Sequence, residues 1–161
     1  SRCDVPVIGT DFYPTFIQLA SVEKPESYIL DGVSIVPLLK GKNTLKRESL
    51  FWHFPAYLEA YEGLKDHSRD SIFRTRPVSV IRKGDWKLLM FHEEWVLDGG
   101  FENVPGNNSV ELFNLKNDPE ESINLCNTEV EIRNELLEEL LNWLEETDAS
   151  IPAERNPAYK N

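Results

Sequence analysis

Apolar residues recur along this chain with two different periods. In "EVEIRNELLEELLNWLEE" (129 to 146), Ile132, Leu136, Leu140 and Trp143 or Leu144 share one side of a 3.6-residue repeat, with glutamates on the other. That spacing predicts a long amphipathic helix. In "RPVSVIRKGDWKLLMFH" (76 to 92) the period is two: Val78, Val80 and Arg82 alternate with Ser79, Ile81 and Lys83. A Lys83-Gly84-Asp85 turn then reverses the chain, and Trp86, Leu88 and Met90 oppose Lys87, Leu89 and Phe91, which predicts a hairpin. "SLFWHFP" (49 to 55) and "VELFNL" (110 to 115) predict two further strands. Near the start, "TDFYPTFIQLA" (10 to 20) predicts a helix capped by Asp11 or Thr10, with Phe12, Phe16 and Leu19 or Ala20 on one face. A turn at Asp31-Gly32 and a short apolar stretch interrupted by Pro37 follow, and no neighbour in this first quarter is evident to cover that face. Residues 57 to 76 predict an excursion or a short helix on the surface, 97 to 109 a glycine and asparagine loop, and 151 to 161 a surface tail. The fold class is α+β: a small antiparallel sheet of about four strands, packed against a long C-terminal helix.

Composition narrows the functions. A chain of 161 residues, 40% hydrophobic and 28% charged, has the length and balance of one globular domain. No apolar run approaches the roughly 20 residues a membrane-spanning helix needs. The net charge of −11 repels phosphate backbones and anionic lipid, so neither nucleic acid nor a membrane surface is an expected partner. Much of that charge is the solvated face of the last helix. Cys3 and Cys126 lack metal-ligand spacing; a disulfide between them stays open, and with it the redox compartment. The opening "SRCDVPVIG" has no initiator Met and no apolar leader, as expected if a leader has been removed or if this is a piece of a longer protein.

The residues taken alone contain no complete active site. His53, His67 and His92 have no nucleophile beside them in a fixed motif, and no phosphate loop, HExxH or EF-hand pattern occurs. Arg82 and Lys87 are expected to form salt bridges or cover apolar surface, rather than to bind an anion. Trp52, Trp86 and Trp143 are expected in the core.

The order of motifs says more. "DVPVIGTDFYPTFIQLA", "LDGVSIVPLLKG", "LFWHFPAY", "RPVSVIRKGDWKLLMF" and "ELFNLKNDPEESINL", in this sequence, resemble the C-terminal part of type I sulfatases, the arylsulfatase-like members of the alkaline phosphatase superfamily. The resemblance implies that residues 1–45 are the closing segment of a large α/β sulfatase domain and 46–150 a C-terminal subdomain, with 151–161 the tail. It implies a formylglycine nucleophile, made from a Cys/Ser-x-Pro-x-Arg motif, and one calcium ion (Ca2+), both in the large domain. Cys3 departs from that motif, since Pro6 is three residues on and no Arg follows. The chain alone is thus expected to be inert, with no catalytic or metal-ligating residue of its own, and to shape the cleft for a sulfated small molecule or carbohydrate. His53 is the candidate substrate-binding residue, because relatives read FWHxPHY here with the His close to the cleft; Ala56 stands where that pattern has its second His. A structural role, with the His53 ring hydrogen-bonded inside an aromatic strand, is the competing expectation. Two other functions remain open: a noncatalytic binding or assembly module that self-associates through exposed apolar surface, and a related phosphonate or phosphate monoester hydrolase. Members of the family are commonly exported to periplasm, cell surface or lysosome.

Overall fold

In the computed structural model, which describes residues 2–24, 26–59, 73–97, 99–106, 108–152 and 156–157, the chain forms two compact units, Ser1–Leu50 and Phe51–Asn161. In the first, a 3-10 turn at Gly9–Asp11 runs into α1 (Phe12–Ala20), and α2 (Val36–Leu39) follows with Pro37 in its first turn, where its missing N–H costs nothing. Asp11 does not cap α1 as expected. Its carboxylate instead accepts the N–H groups of Ile8 (2.9 Å) and Val33 (3.0 Å) and the Arg47 guanidinium (2.8 Å). Thr15 donates to the Asp11 carbonyl at 2.6 Å and accepts from Ile35 N–H at 3.0 Å. Two buried polar side chains thus tie α1 to the segment leading into α2. Burial opposes the charge on Asp11, but Arg47 and the backbone donors outweigh it and hold the carboxyl below the usual carboxylate range. The apolar stripe of α1 stays open: Phe12 and Phe16 stack at 6.1 Å, yet are 51% and 62% exposed.

The second unit is built on a four-stranded antiparallel sheet. The strands of that sheet are β1 (Ser49–Phe54, in this unit from Phe51 on), β4 (Val78–Lys83), β5 (Trp86–Phe91) and β6 (Val110–Asn114), side by side in that order. A separate two-stranded pair joins β2 (Leu58–Glu59) to β3 (Phe73–Thr75). The expected hairpin is β4 and β5, in register from Lys83 opposite Trp86 to Val78 opposite Phe91. Gly84 opens its two-residue turn at φ +57°, a conformation a side chain would resist.

Strand alternation decides the core. Ile81, Leu88, Met90 and Leu112 face α4 (Val130–Glu146), whose Leu136, Leu137, Leu140 and Leu144 are buried against them. Each such side chain contributes roughly 2 kcal/mol by leaving water. Phe51 lies on the same side and stacks flat on Trp143, with centroids 4.8 Å apart. Its neighbour Trp52 must therefore point the other way, and it is 40% exposed, so of the three tryptophans expected inside only Trp86 and Trp143 pack on the core. Lys83 extends the Ile81 side and pairs with Glu135 and Glu139 of α4. Arg82 and Lys87 are cross-strand partners, and Lys87 is engaged by Glu121 at 2.7 Å, the structural use expected of it. Between β5 and the glycine loop lies α3 (His92–Leu97), too short for periodicity to reveal. The loop itself inserts Val104 into the core. His67 and most of the excursion and tail lie outside the described residues.

Candidate functional site: a hydrogen-bonded chain through His53

Three elements bring His53, Ser79 and His92 together. His53 shares the side of β1 that Phe51 presents to α4, and Ser79 stands on the adjacent strand β4, two residues before the core residue Ile81. The β4/β5 ladder continues one step beyond its last strand pair, with His92 N–H donating to the Pro77 carbonyl at 3.0 Å. His92 is thereby fixed where β5 turns into α3. His53 Nδ1 lies 2.8 Å from Ser79 Oγ, and Ser79 Oγ lies 2.8 Å from His92 Nε2. The two imidazoles meet edge to face at 5.5 Å.

The outer end of the chain is set by the end of α4. Asp148 adopts φ +49° just after the helix; Asp148 N–H reaches back to the Glu145 carbonyl and Ala149 N–H to the Leu144 carbonyl, the paired bonds of a Schellman stop. That reversal delivers the Ser150 carbonyl to His53 Nε2 at 3.0 Å, on the exposed side of the ring.

Burial grades the three side chains. His53 is half-buried, whereas Ser79 and His92 have no exposed surface. Burial, aided by the nearby His53, pushes the His92 pKa down to about 4, so His92 is neutral near pH 7. Its Nδ1 has no hydrogen-bond partner among the described residues, and such an orphaned buried atom costs about 1–3 kcal/mol. His92, Met90, Trp95, Leu144, Ala149 and Ile151 also line a cavity of about 290 Å3. Trp95, which the sequence analysis did not single out, enters the site here from α3.

The arrangement limits the chemistry. Ser79 and its two histidines have the spacing of a nucleophile and its base, yet no ester can reach a serine oxygen with no exposed surface. His53 alone offers an accessible polar edge. Among the described residues, no group of three or more His, Cys, Asp or Glu side chains converges in a way that would hold a metal ion. The described residues therefore do not fit the calcium that the family resemblance implies, and no step through it is assigned to them. Cys3 is exposed and Cys126 buried, and both are free thiols.

Comparison with known proteins identifies the class. Residues 2–149 match the family described as N-sulphoglucosamine sulphohydrolase, C-terminal, and the chain belongs to that family. It is 32% identical over 124 residues to a sulfatase of Formosa agariphila, covering 71% of this chain and 18% of that protein. It is 28% identical over 143 residues to the N-acetylglucosamine-6-O-sulfatase of Bacteroides thetaiotaomicron, covering 87% and 21%. Among solved structures, one determined in complex with its substrate D-glucosamine-2-N,6-O-disulfate aligns with a TM-score of 0.52 and 27% identity, over 91% of this chain and 25% of that one. The chain thus spans about a fifth of the length of these curated relatives.

Proposed function

We propose that the intact protein carrying this chain is a sulfuric ester hydrolase acting on a sulfated carbohydrate, with a sulfated amino sugar as the favoured substrate, and that this chain edges its substrate cleft. The observation that carries the proposal is the family match over residues 2–149. The amino-sugar preference draws on the N-acetylglucosamine-6-O-sulfatase relative and the glucosamine disulfate complex. Hydrolysis of a sulfate ester needs a nucleophile and a cation to stabilise charge on the sulfate, and the family resemblance assigns these to formylglycine and calcium in the large domain. On this reading the chain's own contribution is to bind and orient the sugar. His53 is the group proposed to meet it, because an Nε2–H held at a half-buried edge can donate to a hydroxyl or sulfate oxygen. The test is release of sulfate by the intact protein from N-acetylglucosamine 6-O-sulfate, set against phosphate and phosphonate monoesters of similar size. Preferential sulfate release supports the proposal; hydrolysis of the phosphorus esters alone overturns it.

The open α1 stripe favours a second role. With Phe12, Phe16 and Leu19 each more than half exposed, the isolated chain carries an apolar surface suited to assembly.

A further inference from the structure

We infer that Ser79 and His92 are positioning residues that lock His53 as its Nε2–H tautomer, so that the N–H now given to the Ser150 carbonyl is the one a substrate oxygen takes over. This rests on the proposal that His53 meets the substrate.

The polarity of the chain follows from its outer end. A carbonyl oxygen only accepts, so His53 Nε2 must carry hydrogen toward Ser150. A neutral imidazole has one N–H, and His53 Nδ1 is then a bare acceptor for the Ser79 hydroxyl. That hydroxyl has one hydrogen and spends it on His53, so its oxygen accepts from His92 Nε2–H. His92 Nδ1 is left as a lone pair, and this is the atom found buried without a partner. With one N–H on His53, this assignment satisfies every observed contact and leaves the unsatisfied atom at the inner end; a second N–H on His53 would reverse both Ser79 bonds.

His92 is also suited to its task chemically. Its low proton affinity in this setting keeps it neutral, and its ring is held by the Pro77 carbonyl through its backbone and by burial on every side. His53 meets its ring edge to face, and Glu145 and Asp148 line the same cavity. A phenylalanine would fill the same space without leaving an orphan. It would also leave Ser79 Oγ without a donor and its hydroxyl free to turn away from His53. The buried imidazole is thus used for hydrogen-bond direction, and the effect is felt at the half-buried ring two contacts away.

The experiment is long-range 1H–15N correlation spectroscopy on the intact protein labelled at histidine, with His53→Gln and His92→Gln used for assignment, alongside sulfate-release kinetics. His53 is expected with hydrogen on Nε2 and none on Nδ1, and His92 as the neutral Nε2–H tautomer. In Ser79→Ala the His53 signals are expected to move to a tautomer mixture and kcat/KM to fall roughly fivefold, the value of one neutral hydrogen bond. Ser79→Thr, which keeps the hydroxyl, is expected to restore both. His92→Gln, which keeps a donor at similar reach, retains the His53 tautomer, while His92→Phe loses it; this pair serves if Ser79→Ala does not fold. A wild-type His53 found as Nδ1–H or as a mixture overturns the positioning role whatever the substrate. A fixed tautomer combined with full activity in His53→Ala overturns instead the contact between His53 and substrate.

Discussion

At the scale of single residues, the stability of this chain is tied to buried groups whose charge state their surroundings control. His92 is neutral in the folded chain with a pKa of about 4 and ordinary, near 6.5, when unfolded. The unfolded chain therefore binds more protons between these values, and stability falls as pH drops from 6.5 toward 4, then levels off; the total is of order 3 kcal/mol. Urea titrations across that range are expected to show the slope in the wild type and a shallower one in His92→Gln. Asp11 acts in the same direction at lower pH, because its charged form is the one the fold stabilises. Its carboxyl is held below 3.8, so its contribution is complete above that value and is lost as pH falls through the lower folded pKa. Asp11→Asn leaves Arg47 without its charge partner and is expected to cost about 3 kcal/mol, read as early protease cleavage within residues 1–50. Neither role was legible beforehand. Asp11 sits where a helix cap belongs, and its actual partners Val33 and Arg47 are 22 and 36 residues away. His92 is one residue past an alternating strand, and nothing local marks it as buried.

At the scale of elements, periodicity was informative wherever one face met a continuous core. The hairpin, the outer strands and α4 all appear where the hydrophobic repeat indicated, because α4 and the sheet bury one another and each must keep its period. Trp52 departs from expectation for the same reason: once Phe51 stacks on Trp143, a period of two turns residue 52 outward whatever its hydrophobicity. The His53 environment was half legible. The aromatic strand was evident, but Ser79 and Ser150 are 26 and 97 residues away from it, and only the sheet order and the stop of α4 bring them in. That stop can be tuned. Asp148 holds a left-handed conformation that glycine adopts without strain, so Asp148→Gly is expected to raise stability by about 0.5–1 kcal/mol in thermal unfolding while leaving the His53 contact in place.

At the scale of the whole molecule, the chain belongs to the family described as N-sulphoglucosamine sulphohydrolase, C-terminal, and on the proposed function its chemistry depends on what accompanies it. The order of motifs made its family legible from sequence, since each motif maps to an element with a defined packing duty; the substrate was not, because specificity depends on side chains converging from several segments. The isolated chain is expected to release no sulfate from sulfated sugars and to self-associate as concentration rises, through the stripe of Phe12, Phe16 and Leu19. Sedimentation velocity on the wild type and on Phe16→Ser checks the second expectation: the variant should stay monomeric to higher concentration.

The most direct test of the account is the effect of His53→Ala in the intact protein on kcat/KM for N-acetylglucosamine 6-O-sulfate, measured beside the thermal midpoint. A loss of about tenfold or more in kcat/KM, with the midpoint shifted by only a few degrees, is the result expected of a residue that meets the substrate. Unchanged kcat/KM, or a loss that merely follows the fraction unfolded, would contradict it and make His53 a structural member of the aromatic strand.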